Sequence, residues 1–284
     1  MIAYLDTQAF DHIYKKIGCT AADIANLRKA IYGRALSIRL SVHTLEEILL
    51  ARRVSPQALA AQIKLTLSLA SSRTLVKPCA QLLFDDIRAY AARGDSDRPF
   101  LHGDMQNAVA DGIAVLIESD GEELDEDFVA VLDQARQQKQ HFAAALQEAR
   151  AGAESVSRPG LGWTSFDQYC DAAALPALET LAARAGVENA CRERGFDGLL
   201  KIKSMRMTLG AVLASTYAKM TDGLEVNSAT LHHAISAAAV AETFVTETPA
   251  IRELLPRVAM EGLSLANLPE FLQCLSREAG PESS

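Results

Sequence analysis

The sequence predicts an α/β protein: a mostly parallel sheet covered by helices, assembled from the two ends of the chain, with a large all-helical insertion between them. Short apolar runs alternate with helical patterns over residues 1–54 and again over 200–276. Strands alternating with helices build parallel sheets buried on both faces. Residues 55–199 are instead dominated by Ala, Leu, Gln and charged side chains at helical spacing, with no evident strand and no repeat. Apolar residues make up 49% of the 284, enough for a full core, and charged residues 23%, ordinary for a globular chain.

The elements follow from local signals. Ile2-Ala3-Tyr4-Leu5 is a short apolar run closed by Asp6, too short for a helix and suited to a buried strand. Thr20 with Asp23 three residues on marks a helix start, and Gly33 stops that helix after Tyr32. Leu36 to Val42 reads as a second strand, with a helix from Glu46 to about Val54. Ser55-Pro56 restarts a helix with proline in its first turn. Helical patterns then recur over 56–71, 80–92, 126–151 and 165–185, the last with an interruption expected at Pro176. Breaks fall at 94–97, 119–123 and 155–162. Towards the end, helices are expected over 205–219, 230–240, 249–255 and 268–275, with strands at 243–245 and 258–263. Residues 277–284 finish in GPESS and read as a flexible tail.

In open α/β sheets, ligands sit beyond the carboxyl ends of the strands. Asp6 closes the first strand. Glu46 and Glu47 are expected in the first turn of the helix after the second strand, and Glu247 follows the strand at 243–245. Carboxylates from three segments are therefore expected to gather at one rim.

These residues bear a resemblance to a family. Tyr4-Leu5-Asp6-Thr7 resembles the opening strand of PIN-domain nucleases, and Ser41 to Glu47 the strand-to-helix junction that carries their second acid, with Glu47 in register. Phe244-Val245-Thr246-Glu247-Thr248 resembles their late strand and acidic loop, and Met260–Leu275 their last strand and helix. Met205–Val226 with the Ala-rich helix after it resembles larger bacterial PIN-like proteins. The resemblance covers 1–54 and 200–276 and does not explain 55–199.

The resemblance implies a metal-dependent ribonuclease in which Asp6, Glu47 and Glu247 bind Mg2+ or Mn2+, the hard ions that oxygen ligands suit. The ion would activate a water for attack on a phosphodiester. Thr7 and Thr246 would bind phosphate or water, and Asn227 and Thr230 would stand where relatives carry aspartates. That departure, with Glu247 beside the usual acidic position, leaves a second reading open: a PIN-like module without chemistry that binds RNA or a protein partner through its helical region.

Other features bound the function. The formal charge is -8 and the pI about 5.3. Proteins held on nucleic acid by bulk charge are usually basic, so RNA contact is expected to be local and transient. Arg206, near Lys201 and Lys203, is a candidate phosphate clamp. His232-His233 is expected to pack or face the surface, since adjacent helical residues point about 100° apart. Glu46 and Asp85-Asp86 read as solvated, and 120–127 as an acidic linker and helix cap. The five cysteines form no CxxC pair and read as core fillers. The opening residues lack a secretory pattern, and no apolar run reaches the ~18 residues a membrane span needs, so a cytoplasmic location is expected. Walker, GxGxxG and GxSxG motifs are absent from the sequence. Small residues at 230–240 and long exposed helices fit a homodimer.

Overall fold

The structure is a computed structural model that describes residues 1–50, 55–71, 74–155, 166–222, 231–258 and 262–278. The chain opens with β1 (Ile2–Leu5), α1 (Thr7–Lys15), α2 (Ala21–Tyr32), β2 (Ser37–Arg39) and α3 (Val42–Leu50). The helical stretch holds α4 (Pro56–Leu69), α5 (Cys79–Arg93), α6 (Gly103–Glu118), α7 (Glu126–Glu154), α8 (Phe166–Arg184) and α9 (Glu188–Arg194). A 3-10 turn (Phe196–Lys201) leads into α10 (Lys203–Asp222) and α11 (His232–Val240). The chain closes with β3 (Thr243–Val245), α12 (Pro249–Val258), β4 (Ser264–Ala266) and α13 (Leu268–Glu278).

The four strands form one parallel sheet in the order β2-β1-β3-β4. Tyr4 lies opposite Arg39 on one side and Phe244 on the other, so the two chain ends meet at the centre of the sheet. Side chains alternate between its faces. Tyr4 and Phe244 join one core with α5, α8, α10 and α11, while Ala3, Leu5, Ile38 and Val245 join a second with α1, α3, α4 and α6. The helices of 55–199 thus cover both faces of the sheet within its own two cores.

Helix α7 links the two cores. Its 29 residues span about 43 Å at 1.5 Å per residue. Phe128, Val131, Leu132 and Ala135 enter one core, and Phe142, Ala145, Leu146 and Ala149 the other. Lys139 falls at the crossing between them.

Several local expectations hold. The Thr20–Asp23 capping box opens α2, Ser55 caps α4 through the Ala58 amide, and Asp125 caps α7 through the Phe128 amide. Others are corrected. The helix after β2, α3, starts at Val42 rather than Glu46, because the Ser41 hydroxyl accepts the Thr44 amide and closes the first turn. Glu46 and Glu47 therefore sit in its second turn. α8 runs through Pro176, held by burial of Ala173, Ala177 and Leu181. The last strand is Ser264–Ala266, beyond the expected 258–263, where α12 still occupies Val258. α1, α6 and α9 are additional helices.

Asp86 is only 3% exposed, with the Asp97 amide and the Ser204 hydroxyl as donors to its carboxylate, so it is no solvated face. Cys79 and Cys191 are buried as expected, whereas Cys274 is exposed. Among the described residues, no helix is long and apolar enough to cross a membrane.

The seating of α7 depends on Gly112 of α6, where an added Cβ would stand 2.1 Å from the Phe128 Cβ. Gly112→Ala is expected to lower stability by about 1–3 kcal/mol in urea unfolding, through overpacking. An unchanged midpoint would show that the two helices separate freely.

Candidate functional site

The strand ladder carries the site. The Asp6 amide donates to the Val245 carbonyl and the Thr246 amide to the Ala266 carbonyl, so pairing continues past β1 and β3 and sets Asp6 beside Thr246. Asp6 is the N-cap of α1: its Oδ1 accepts the Ala9 amide at 2.8 Å, and its Oδ2 accepts the Thr246 hydroxyl at 2.5 Å. It is 3% exposed. Burial raises its carboxyl above the usual range, the His233 charge and these two hydrogen bonds pull it back, and the Glu47 charge pushes it up further.

Glu47 is the centre of the cluster. Its Oε1 takes Lys139 Nζ at 2.6 Å and His232 Nε2 at 2.8 Å. Its Oε2 takes the Thr7 hydroxyl and His233 Nε2, the latter at 2.9 Å. Burial alone would raise this carboxyl, but the His233 charge and the histidine hydrogen bonds outweigh it and hold Glu47 far below the usual range. Burial and the neighbouring His233 charge push His232 down to about 4.

The histidines are held from behind. His233 Nδ1 lies 2.7 Å from the Tyr4 hydroxyl, which is also 2.7 Å from Ser41 Oγ. Burial raises the Tyr4 phenol beyond the working range, so it stays protonated. The His232 ring meets His43 edge to face at 5.0 Å between centroids. His43 Nε2 accepts the Cys79 amide at 2.9 Å, and burial holds that imidazole well below its usual range and keeps the ring neutral. Its one proton therefore sits on Nδ1.

Glu46, expected to be solvated, is 1% exposed. α7 lies across α3 and neutralises it, with Lys139 Nζ at 2.5 Å and Arg136 Nε at 3.6 Å. The histidines pack as expected, but they do not diverge. Both are buried in the first turn of α11, with ring centroids 4.2 Å apart, and both reach the same carboxylate. The angle between adjacent helical side chains is bridged because Glu47 offers one oxygen to each ring.

Asp6, Thr7, Glu47 and Thr246 share a cleft of about 220 Å³ with His232 and His233. Glu247 faces elsewhere: its carboxylate accepts the Leu268 amide at 2.6 Å, at the start of α13. Arg206 is exposed and lines a separate groove among α8, α10 and α12. Asn227 and Thr230 lie outside the described residues. Tyr4, expected only as a strand residue, and Lys139 also belong to the site. Nothing near them in the chain signals the contact, which spans 229 residues from Tyr4 to His233 and 92 from Glu47 to Lys139.

Glu47, His232 and His233 each offer one donor atom, all within 4.8 Å of one another, as a metal ion requires. Two imidazoles and one carboxylate suit Mn2+, Fe2+ or Zn2+ better than Mg2+. The Nε2 atoms now bond to Glu47, so ligation there requires their protons to leave. Comparison with protein-family models, curated proteins and solved structures finds no match for this chain.

Lys139→Met leaves Glu46 buried beside the half-exposed Arg136 alone. It is expected to cost about 3 kcal/mol in urea unfolding, the usual result of removing one partner of a buried ion pair. A loss below 0.5 kcal/mol, the size of a surface pair, would show that the lysine is dispensable.

The depressed His232 and His43 bind protons in the unfolded chain before they do in the folded one. Stability in chelator is thus expected to fall as pH drops from about 6.5 towards 4. The raised Asp6 carboxyl acts in the opposite direction, and Glu47 loses its own stabilising effect only below its ordinary range near 4.5. His232→Gln is expected to flatten the slope between pH 6.5 and 5, read from urea midpoints; an unchanged slope would remove His232 as its source.

Proposed function

We propose that this chain is a metal-dependent phosphodiesterase with a PIN-like sheet, cutting RNA at the carboxyl rim of that sheet. One observation carries the reading: Asp6, Thr7, Glu47 and Thr246, from three distant stretches of sequence, line one cleft there. The parallel order β2-β1-β3-β4 supports the PIN-like assignment, with an acid directly after β1 and another on the helix after β2.

In this reading Glu47, His232 and His233 hold a divalent ion, and their donor set favours Mn2+ over Mg2+. Bound there, the ion supplies a water acidic enough to attack at neutral pH and neutralises charge on the phosphodiester. The chain's own groups do the rest. Tyr4 fixes the His233 ring through Nδ1, as second partners of metal-bound imidazoles do. Lys139 pins one oxygen of Glu47. Asp6 keeps lone pairs free beyond its two hydrogen bonds and is placed to take a proton from the attacking water. The Thr7 hydroxyl donates to Glu47 and keeps lone pairs to accept from a bound water, and Phe244 and Ile251 line the cleft with apolar surface.

A second reading, binding without chemistry, draws on two observations. The Lys139 ammonium already pairs with both Glu46 and Glu47, and Glu247 is committed to the start of α13.

Purified protein incubated with mixed RNAs is expected to cleave in Mn2+ and stop in chelator. Asp6→Asn and Glu47→Gln are each expected to lose about 100-fold or more, the scale of removing one electrostatic catalytic group. Cleavage that survives chelator or both substitutions rejects the mechanism. RNA binding without cleavage, and no thermal shift on adding Mn2+, favours the second reading.

A further inference from the structure

A larger cleft of about 550 Å³ lies away from the rim, between the carboxyl half of α5, the end of α9 and the start of α10. It reaches Ala239, near the last residue of α11, whereas the rim site uses His232 at the first residue. The seven-residue step between them is about 10 Å along that helix. The two clefts therefore sit at opposite ends of one short rod, and an inference about this one does not rest on the rim reading.

The lining of this cleft carries both signs of charge. Its cations are Arg194, Lys201 and Lys203, all exposed. Lys201 and Lys203 form no ion pair among the described residues, and the Arg194 side chain bonds only the Ala91 and Ala92 carbonyls. The lining also carries Asp86, Asp95, Ser96 and Asp97, and the Arg194 guanidinium lies against Gly94, next to Asp95. Asp97 is neutralised by Lys77 and Arg93, whereas Asp95 bonds only the Ser96 amide. The Tyr90 ring and Ile202 supply apolar surface.

We propose that this cleft binds a phosphate monoester of a sugar, with the phosphate on Arg194, Lys201 and Lys203 and sugar hydroxyls donating to Asp95. Its volume lies within the ~300–1,000 Å³ of small-molecule sites, well beyond the needs of an inorganic ion. Cationic side chains recognise phosphate by charge-assisted hydrogen bonds. The lining carboxylates repel a second anionic group, and Asp95 is free to accept from hydroxyls. The start of α10 adds the positive end of a 20-residue helix at Lys203. A free sugar phosphate and a mononucleotide share this chemistry.

The test is calorimetric titration of the full chain with ribose 5-phosphate, adenosine monophosphate, inorganic phosphate and ribose. Both esters are expected to bind, and both more tightly than phosphate or ribose. Tighter binding of the nucleotide identifies it as the source, and equal binding identifies the free sugar phosphate. Lys201→Gln/Lys203→Gln is expected to weaken the esters by about tenfold or more, as loss of charged hydrogen bonds does, with the unliganded melting temperature unchanged. Asp95→Ala is expected to weaken ribose 5-phosphate but not inorganic phosphate. Glu47→Gln, at the other end of α11, is expected to leave ester binding unchanged. Failure of both esters to bind at millimolar concentration overturns the proposal, as does binding indifferent to the lysine pair. Inorganic phosphate binding as tightly as the esters overturns the sugar assignment.

Discussion

The arrangement depends on one carboxylate. Glu47 accepts from Thr7 at the start of α1, from Lys139 in the middle of α7 and from two histidines at the start of α11. A buried charge costs several kcal/mol of lost hydration, which only complete partners offset. Each of these helices must therefore be in place before the carboxylate is satisfied, and the same four donors fix its direction. Building the cluster and closing the fold are one event.

The partners behind the cluster extend that constraint into the sheet. The Tyr4 hydroxyl links His233 to Ser41, and Ser41 opens α3, which carries Glu47 itself. The chain of contacts thus returns to its starting helix through the central strand. A ring of this kind leaves the imidazoles little freedom to turn, and that suits groups meant to meet an ion or a substrate in one orientation.

Where the signals were local, the sequence was legible. Ile2–Leu5 and Thr243–Val245 are strands at the expected residues, and the caps at Thr20, Ser55 and Asp125 are read from three or four consecutive positions. Strand ends sharing a rim place Asp6 and Glu47 together as expected, while Thr7 and Thr246 enter the cleft on the strength of the resemblance alone. What stayed hidden was set by distant partners. Glu46 looks solvated until α7 is laid across it, and the histidine pair looks divergent until a bidentate acceptor is placed between the rings. Glu247 looks like a site acid, but the nearby Leu268 amide claims it as a cap. α1 went unread because its helical signal is brief, with Ala9, Phe10 and Ile13 as its only buried side chains.

The course of α7 has a consequence for the architecture as a whole. Because its two halves are embedded in opposite layers, the middle of the chain is not a detachable accessory to a self-sufficient sheet. Excising residues 55–199 would strip both sheet faces at once, and the remaining ends would have too little apolar cover to stay folded. Helix α7 ties the two layers to each other.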